Sequence, residues 1–316
     1  MKKLLVTGDV DITQLAQLDC QICHLKEPKD EQQIIEALVD CHYYIIGGPE
    51  HCSEQFLNAA QVLELVVVLG TGTSSFIDLK AASNKGVEVM NTPKLNAQTV
   101  AQFAFATMIM RNTRFHFSWQ KMQAGTWFQT PYKELAGSKI GLVGLGNINR
   151  ALLALIRTVS DQPVYYHARS PKEALHDTHQ LEFLELPELM STCDLVVVSV
   201  TFNETTQSFI DERALANANQ ELDLLCFSSP HVICPTALRN ALTTKTIRSA
   251  YMDGYYQEWL ETPGVANDQY GLLSLEPSVF MATTHIAAQS REAIQALLAK
   301  AVDNIKQHER SRHGRL

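Results

Sequence analysis

Residues 138–156 read Ser-Lys-Ile-Gly-Leu-Val-Gly-Leu-Gly-Asn-Ile-Asn-Arg-Ala-Leu-Leu-Ala-Leu-Ile. The apolar run up to Val143 has the look of a short buried strand, and Ala151–Ile156 that of a helix start. Between them lies "GLGNINR", residues 144–150. A strand, a glycine turn and a helix are the parts of a dinucleotide-binding loop, where Gly144 permits a tight turn and Gly146 lets backbone approach a pyrophosphate. The helix N-terminal amides at Asn147 and Ile148 then face the anion. The third glycine of G-x-G-x-x-G, which serves close helix-to-strand packing, is replaced by Asn149. Added bulk there predicts a helix shifted outward or a side chain with its own exit, and a weakened or reshaped loop.

The βα rhythm extends in both directions from this unit. Upstream, strands are predicted at 3–7, 43–46, 63–69 and 87–90, with another at 20–25, and helices at 31–39, 53–60 and 77–83. Apolar β-branched runs such as Val66-Val-Val-Leu69 suit a buried parallel sheet. One long helix is expected over 97–124. Downstream, strands are expected near 139–143, 163–167, 194–200, 222–227, 248–252 and 278–282, and a last helix at 291–308. The implied class is α/β, two doubly wound parallel-sheet domains: one flavodoxin-like, one a Rossmann cofactor domain.

Bulk properties agree. A chain of 316 residues suits about two domains. A net charge of -8 argues against nucleic acid or an anionic membrane surface as partner. The apolar run at the N-terminus meets Asp9 too early for an export signal, and no run is long enough to span a membrane. Seven dispersed cysteines then read as reduced thiols in a cytoplasmic protein. Cys20-Gln-Ile-Cys23-His24 fits the haem-attachment pattern, but attachment needs export. Neighbouring side chains on a strand also point to opposite faces, so no metal or haem is expected.

Several collinear segments are more specific than the glycine loop. "GTGTSSFIDLKAASNKGVEVMNTPKLNAQTVAQFAFA", "ELAGSKIGLVGLGNI", "LPELMSTCDLVVVSVTFNETTQSFI", "MDGYYQEWL" and "TTHIAAQS" follow one another at characteristic spacing. Through nearly its whole length the chain resembles the D-isomer specific 2-hydroxyacid dehydrogenases, which include phosphoglycerate dehydrogenase and glyoxylate reductase. The resemblance implies a discontinuous substrate domain, residues 1–97 and 287–316, around a dinucleotide-binding domain, 98–286. It also implies a homodimer, and hydride exchange between a nicotinamide and a small 2-keto or 2-hydroxy acid.

Carried over by position, His285 is the acid/base, since histidine gives and takes a proton near neutral pH. Glu258 matches the carboxylate that holds the imidazolium, and Asp253 the position beside the nicotinamide carboxamide. A lone histidine at a strand end or a solvated loop glutamate would be the plainer reading of either residue outside this motif. Ser229 falls where the family has its substrate-binding arginine; one hydroxyl cannot replace a bidentate cation. Arg239 and His231 are the nearest basic residues in sequence. Ala168 falls on the acid that clasps the ribose of NAD, whereas Arg169 and Ser170 suit a 2'-phosphate, so NADP is favoured over NAD. Thr71, Val200 and Thr201 match further cofactor positions. Gly47, Gly48 and Gly70 match the loops whose backbone amides take the substrate carboxylate. Three readings stay open at this point: an active 2-keto acid reductase, a catalytically impaired dinucleotide-binding sensor, and a scaffold with an empty cofactor site.

Overall fold

A computed structural model of the chain describes residues 1–172, 180–256 and 265–313. It divides into two compact units, Met1–Asn96 with 288–313, and 97–256 with 265–287. Each is built on its own parallel sheet.

The first unit has five strands, β1 (Lys2–Thr7), β2 (Cys20–Leu25), β3 (Tyr43–Ile46), β4 (Leu65–Val68) and β5 (Glu88–Asn91), in the order β2-β1-β3-β4-β5. This is the flavodoxin-like winding. Every residue of β3 and β4 is buried, as an uninterrupted apolar run requires when both faces are covered. One face carries α1 (Glu31–Leu38), α2 (Glu54–Ala59) and α3 (Leu79–Asn84), through Ile34, Leu38, Phe56 and Ala82. The other receives the last helix of the chain, α7 (Arg291–His313), through Leu298, Ala301, Val302 and Ile305. That helix runs beyond its expected end because its last turns are anchored: His308 is buried with Nδ1 2.6 Å from Glu88, and Arg312 bonds Glu64.

The second unit has seven strands in the order β12-β11-β10-β9-β6-β7-β8. They are β6 (Ile140–Val143), β7 (Val164–His167), β8 (Leu181–Phe183), β9 (Leu195–Val198), β10 (Asp223–Cys226), β11 (Ser249–Asp253) and β12 (Phe280–Thr283). The edge strand β8 is absent from the sequence reading. The order reverses at β6, which pairs with β7 on one side and β9 on the other. Such a switch point opens a crevice at the carboxyl ends of the strands, where ligands of open α/β sheets bind. Helix α6 (Asn147–Ile156) leaves β6 at that place and packs on α4 (Ala97–Asn112).

The long helix expected over 97–124 is broken. It stops at Asn112, Arg114 takes a left-handed φ of 53°, and α5 (Phe115–Gln123) starts afresh. The break follows from inward anchoring. The buried Arg111 guanidinium donates to the carbonyls of Pro277 and Ser278, each at 2.9 Å, and Asn112 donates to Lys133 O at 2.5 Å. No residue of α5 is buried. Among the described residues no helix is long and apolar enough to cross a membrane.

Candidate active site

Because all seven strands of the second unit are parallel, their carboxyl ends share one edge. Gly144 follows β6, Arg169 and Ser170 follow β7, and Val200 and Thr201 follow β9. Ser229 follows β10, Asp253 closes β11, and His285 follows β12. Residues scattered over 142 positions of sequence are thus collected by topology alone. Gly47, Gly48, Gly70 and Thr71 lie at the corresponding edge of the first unit, after β3 and β4. Glu258 lies outside the described residues.

The glycine loop answers the question raised by Asn149. Gly144 has a φ of 84°, and a Cβ there would stand 2.5 Å from Ser199 O, so both conformation and space demand glycine. At Gly146 a Cβ would meet nothing within 4 Å, and Gly146 and Asn147 are exposed. The N-terminus of α6 therefore faces open space and admits a phosphate. Asn149 neither pushes the helix outward nor seeks an exit. Its side chain is fully buried, and Nδ2 donates to Val143 O at 3.1 Å and Gly144 O at 2.7 Å. An asparagine here ties helix to strand by hydrogen bonds, where glycine would do so by close packing alone. The expectation of a loop loosened by bulk is corrected accordingly. Arg150, unremarked in the sequence, donates from Nε to Leu145 O at 3.1 Å and so keeps a cation beside the loop.

At the end of β7, the Tyr166 hydroxyl accepts from Lys172 N at 2.5 Å and so curls Ala168–Lys172 into a fixed loop. Lys172 Nζ is 3.4 Å from Ser170 Oγ. Arg169, Ser170 and Lys172 are all exposed, which makes a compact cationic patch. Lys172 was not picked out from the sequence, because its distance from the motif hid the curl. At β9, Val200 N donates to Ser228 Oγ at 2.7 Å, which fixes the loop that continues into Thr201.

His285 has a left-handed φ of 58°, uncommon for a residue with a Cβ. Asp253 is what braces it. Its carboxylate is buried; Oδ1 accepts from Thr283 Oγ1 at 2.7 Å and Ile286 N at 2.9 Å, and Oδ2 from Ala287 N at 2.9 Å. Tyr251 OH lies 2.5 Å from Thr283 Oγ1 and extends the chain of hydrogen bonds. The register of β11 against β12 sets Asp253 opposite Thr283. Both oxygens of Asp253 are thus engaged by the turn that presents His285, a task the sequence pattern did not suggest.

No arginine stands at 229. Ser229 caps the short 3-10 turn Pro230–Val232 and is half-buried. Arg239 donates to the carbonyls of Tyr270, at 3.0 Å, and Gly271, so it is engaged elsewhere. His231 packs between Phe202 and Tyr256, with ring centroids 5.9 and 5.7 Å away.

In the first unit, Gly70 N donates to Thr92 Oγ1 at 2.8 Å, so that amide is already engaged. Thr71 Oγ1 accepts from Lys94 N at 3.3 Å. Lys94 is exposed and left-handed, with a φ of 74°, and follows β5 on the same sheet edge. Sequence reasoning passed over it, since no pattern marks a left-handed lysine.

Comparison with known proteins bears on this geometry. The family model described as D-isomer specific 2-hydroxyacid dehydrogenase, NAD binding domain, matches residues 105–287. The chain belongs to that family. It is accordingly a nicotinamide-dependent oxidoreductase of 2-hydroxy acids. It is 27% identical over 283 residues to glyoxylate/hydroxypyruvate reductase B of Yersinia pestis (strain Pestoides F), covering 88% of this chain and 84% of that one. Among solved structures, the apo D-lactate dehydrogenase of Escherichia coli superposes with a TM-score of 0.80 at 20% identity, covering 98% of this chain and 97% of that one. An NADPH-dependent glyoxylate/hydroxypyruvate reductase from Sinorhizobium meliloti, in complex with NADP and malonate, gives 0.78 at 23%, covering 96% and 92%. At these identities the two structures speak for the fold.

Proposed function

We propose that the protein is an NADP-preferring 2-keto acid reductase in which His285 is the proton donor. The observation that carries this reading is the turn 283–287, held by a buried carboxylate in a strained conformation that presents the histidine at the ligand edge of the sheet. A scaffold has no use for that strain, and curated relatives bearing the names of reductases favour turnover over a sensor.

The dinucleotide is assigned to the edge of the second unit. Gly144, Gly146, Asn147 and Ile148 would receive its pyrophosphate, with Val200 and Thr201 beside it and Thr71 assigned to the nicotinamide side. Arg169, Ser170 and Lys172 would hold a 2'-phosphate, for which two cations and a hydroxyl are suited and an NAD ribose is not. When bound, the nicotinamide supplies the hydride to the keto carbon. His285, protonated, gives its proton to the oxygen that gains charge, and Glu258 is assigned to keep the imidazolium charged between turnovers. Ser229 contributes at most one hydrogen bond to the substrate. Lys94 is an exposed cation on the ligand edge of the first unit that suits a substrate carboxylate.

The dinucleotide-binding and substrate domains are taken to be the second and first units. Residues Phe115, Trp119 and Met122 on one side of α5 are exposed, as are Trp127 and Tyr132 after it; a second copy of the chain covering that surface makes a homodimer. Seven cysteines, all free thiols, fit a cytoplasmic protein. The test is NADPH oxidation with a panel of 2-keto acids. Turnover that His285→Ala abolishes, while NADPH still binds, supports the reading; no turnover with any of them, or turnover unchanged in that variant, ends it.

A further inference from the structure

The loop after β3 was expected to bind a substrate carboxylate through the amides of Gly47 and Gly48. Its surroundings argue otherwise. Glu50 is 5% exposed and lies directly behind it. Oε1 accepts from Tyr44 OH at 2.7 Å and from Thr7 Oγ1. Burial and the neighbouring Glu50 carboxylate push the Tyr44 hydroxyl far above the ordinary tyrosine range, so Tyr44 remains a donor. Two hydroxyl donors on one oxygen are what a carboxylate attracts.

The other oxygen, Oε2, is buried and has no hydrogen-bond partner among the described residues. A Cβ on Gly48 would stand 2.3 Å from it, so Oε2 occupies the space where a side chain at 48 would begin. Among the described residues Glu50 also has no cation paired with it. Among the described residues, ion pairs of the first unit join Lys2, His308 and Arg312 to Glu64, Lys3 to Asp40, Lys26 to Asp9 and His308 to Glu88, and none includes Glu50. A buried carboxylate oxygen without a partner is destabilising unless a ligand supplies one, and this one lies on the ligand edge of an α/β sheet.

We propose that Glu50 makes the Gly47–Glu50 loop a cation-selecting end of the substrate site, so that the enzyme favours 2-oxo acids whose far end carries a positive charge. This rests on the reductase reading above. The loop repels a carboxylate and attracts an ammonium-type group through Gly48, which has no side chain to keep it away. Lys94, on the same edge and two strands over, takes the opposite charge, and the substrate lies between them with its carboxylate toward Lys94.

The test uses three 2-oxo acids of equal length, ending in trimethylammonium, in its neutral isostere tert-butyl, and in carboxylate. The full-length protein is compared with Glu50→Gln, which keeps an acceptor for Thr7 and Tyr44 and removes the charge. The expected result is a kcat/KM for the trimethylammonium acid about tenfold or more above that for the tert-butyl acid. That ratio falls to near one in Glu50→Gln, whatever the absolute rates of that variant. Equal rates in the unaltered protein, or a preference that survives Glu50→Gln, overturn the proposal. If glyoxylate too is not reduced, the reductase reading has failed. The proposal is then judged by thermal stabilisation of the NADPH-saturated protein by the same three acids, where equal stabilisation overturns it.

Discussion

Replacing Asn149 with aspartate changes one NH2 group to an oxygen and nothing else in shape. In the native loop that group donates to Val143 O at 3.1 Å and Gly144 O at 2.7 Å. The amide orientation is fixed by these partners, since the opposite flip would set oxygen against two carbonyl oxygens. Aspartate must do just that. Losing two hydrogen bonds costs about 2 kcal/mol. Burying an acid against two carbonyls, at a position with no exposure, adds at least about 2 kcal/mol more. The sum, about 4 kcal/mol, falls on the joint between β6 and α6, and for a unit of this size lowers its melting temperature by about 10 °C. Scanning calorimetry reads the melting. Fluorescence titration with NADPH reads the loop, and the affinity should fall at least about tenfold because the α6 amides lose their bearing on the ligand. A variant that melts within about a degree of the unaltered protein and binds NADPH equally would mean that Asn149 does not tie helix to strand.

Asp253→Asn should lower kcat by about thirtyfold or more while leaving the NADPH dissociation constant within about threefold, because the carboxylate acts on the His285 turn; a matched loss of cofactor affinity would place Asp253 on the nicotinamide instead. Burial raises the pKa of Glu64, but hydrogen bonds and charge from Lys2 and Arg312 outweigh it and bring it from 4.5 to about 2. Its contribution to stability is therefore complete above pH 4.5 and is lost as pH falls toward 2. About 1–3 kcal/mol should disappear over that range, and a Glu64→Gln variant should lack this part of the acid response in pH-dependent unfolding. Lys94→Gln should raise KM for 2-keto acids about tenfold with NADPH binding unchanged; an unaltered KM removes Lys94 from the substrate. If the proposed homodimer pairs through α5, Trp119→Glu should sediment as a monomer where the unaltered protein sediments as a dimer, and an identical profile for the two proteins would count against that interface.

The sheets were legible because their strands are apolar runs without alternation, as in Val66–Leu69 and Ile140–Val143. Parallel winding then fixed which residues meet at one edge. What escaped the sequence depends on side chains acting across it. The role of Asp253 needs the register of β11 on β12, and that of Asn149 needs two carbonyls that no pattern marks. The break at Arg114 has neither proline nor glycine; it follows from Arg111 and Asn112 reaching inward to residues far along the chain. Strand β8 is only three residues long at a sheet edge, too short to carry a period. Glu50 drew no reading from the sequence, because a buried Oε2 without a partner among the described residues leaves no trace in composition.

Whether His285 drives a working reductase is read by following NADPH oxidation with glyoxylate and longer 2-keto acids, for the unaltered protein and His285→Ala side by side. Steady turnover is expected, faster with NADPH than NADH, with a loss of at least about a hundredfold in His285→Ala at unchanged NADPH affinity. Tight NADPH binding with no turnover of any keto acid, or equal rates for the two proteins, would contradict it.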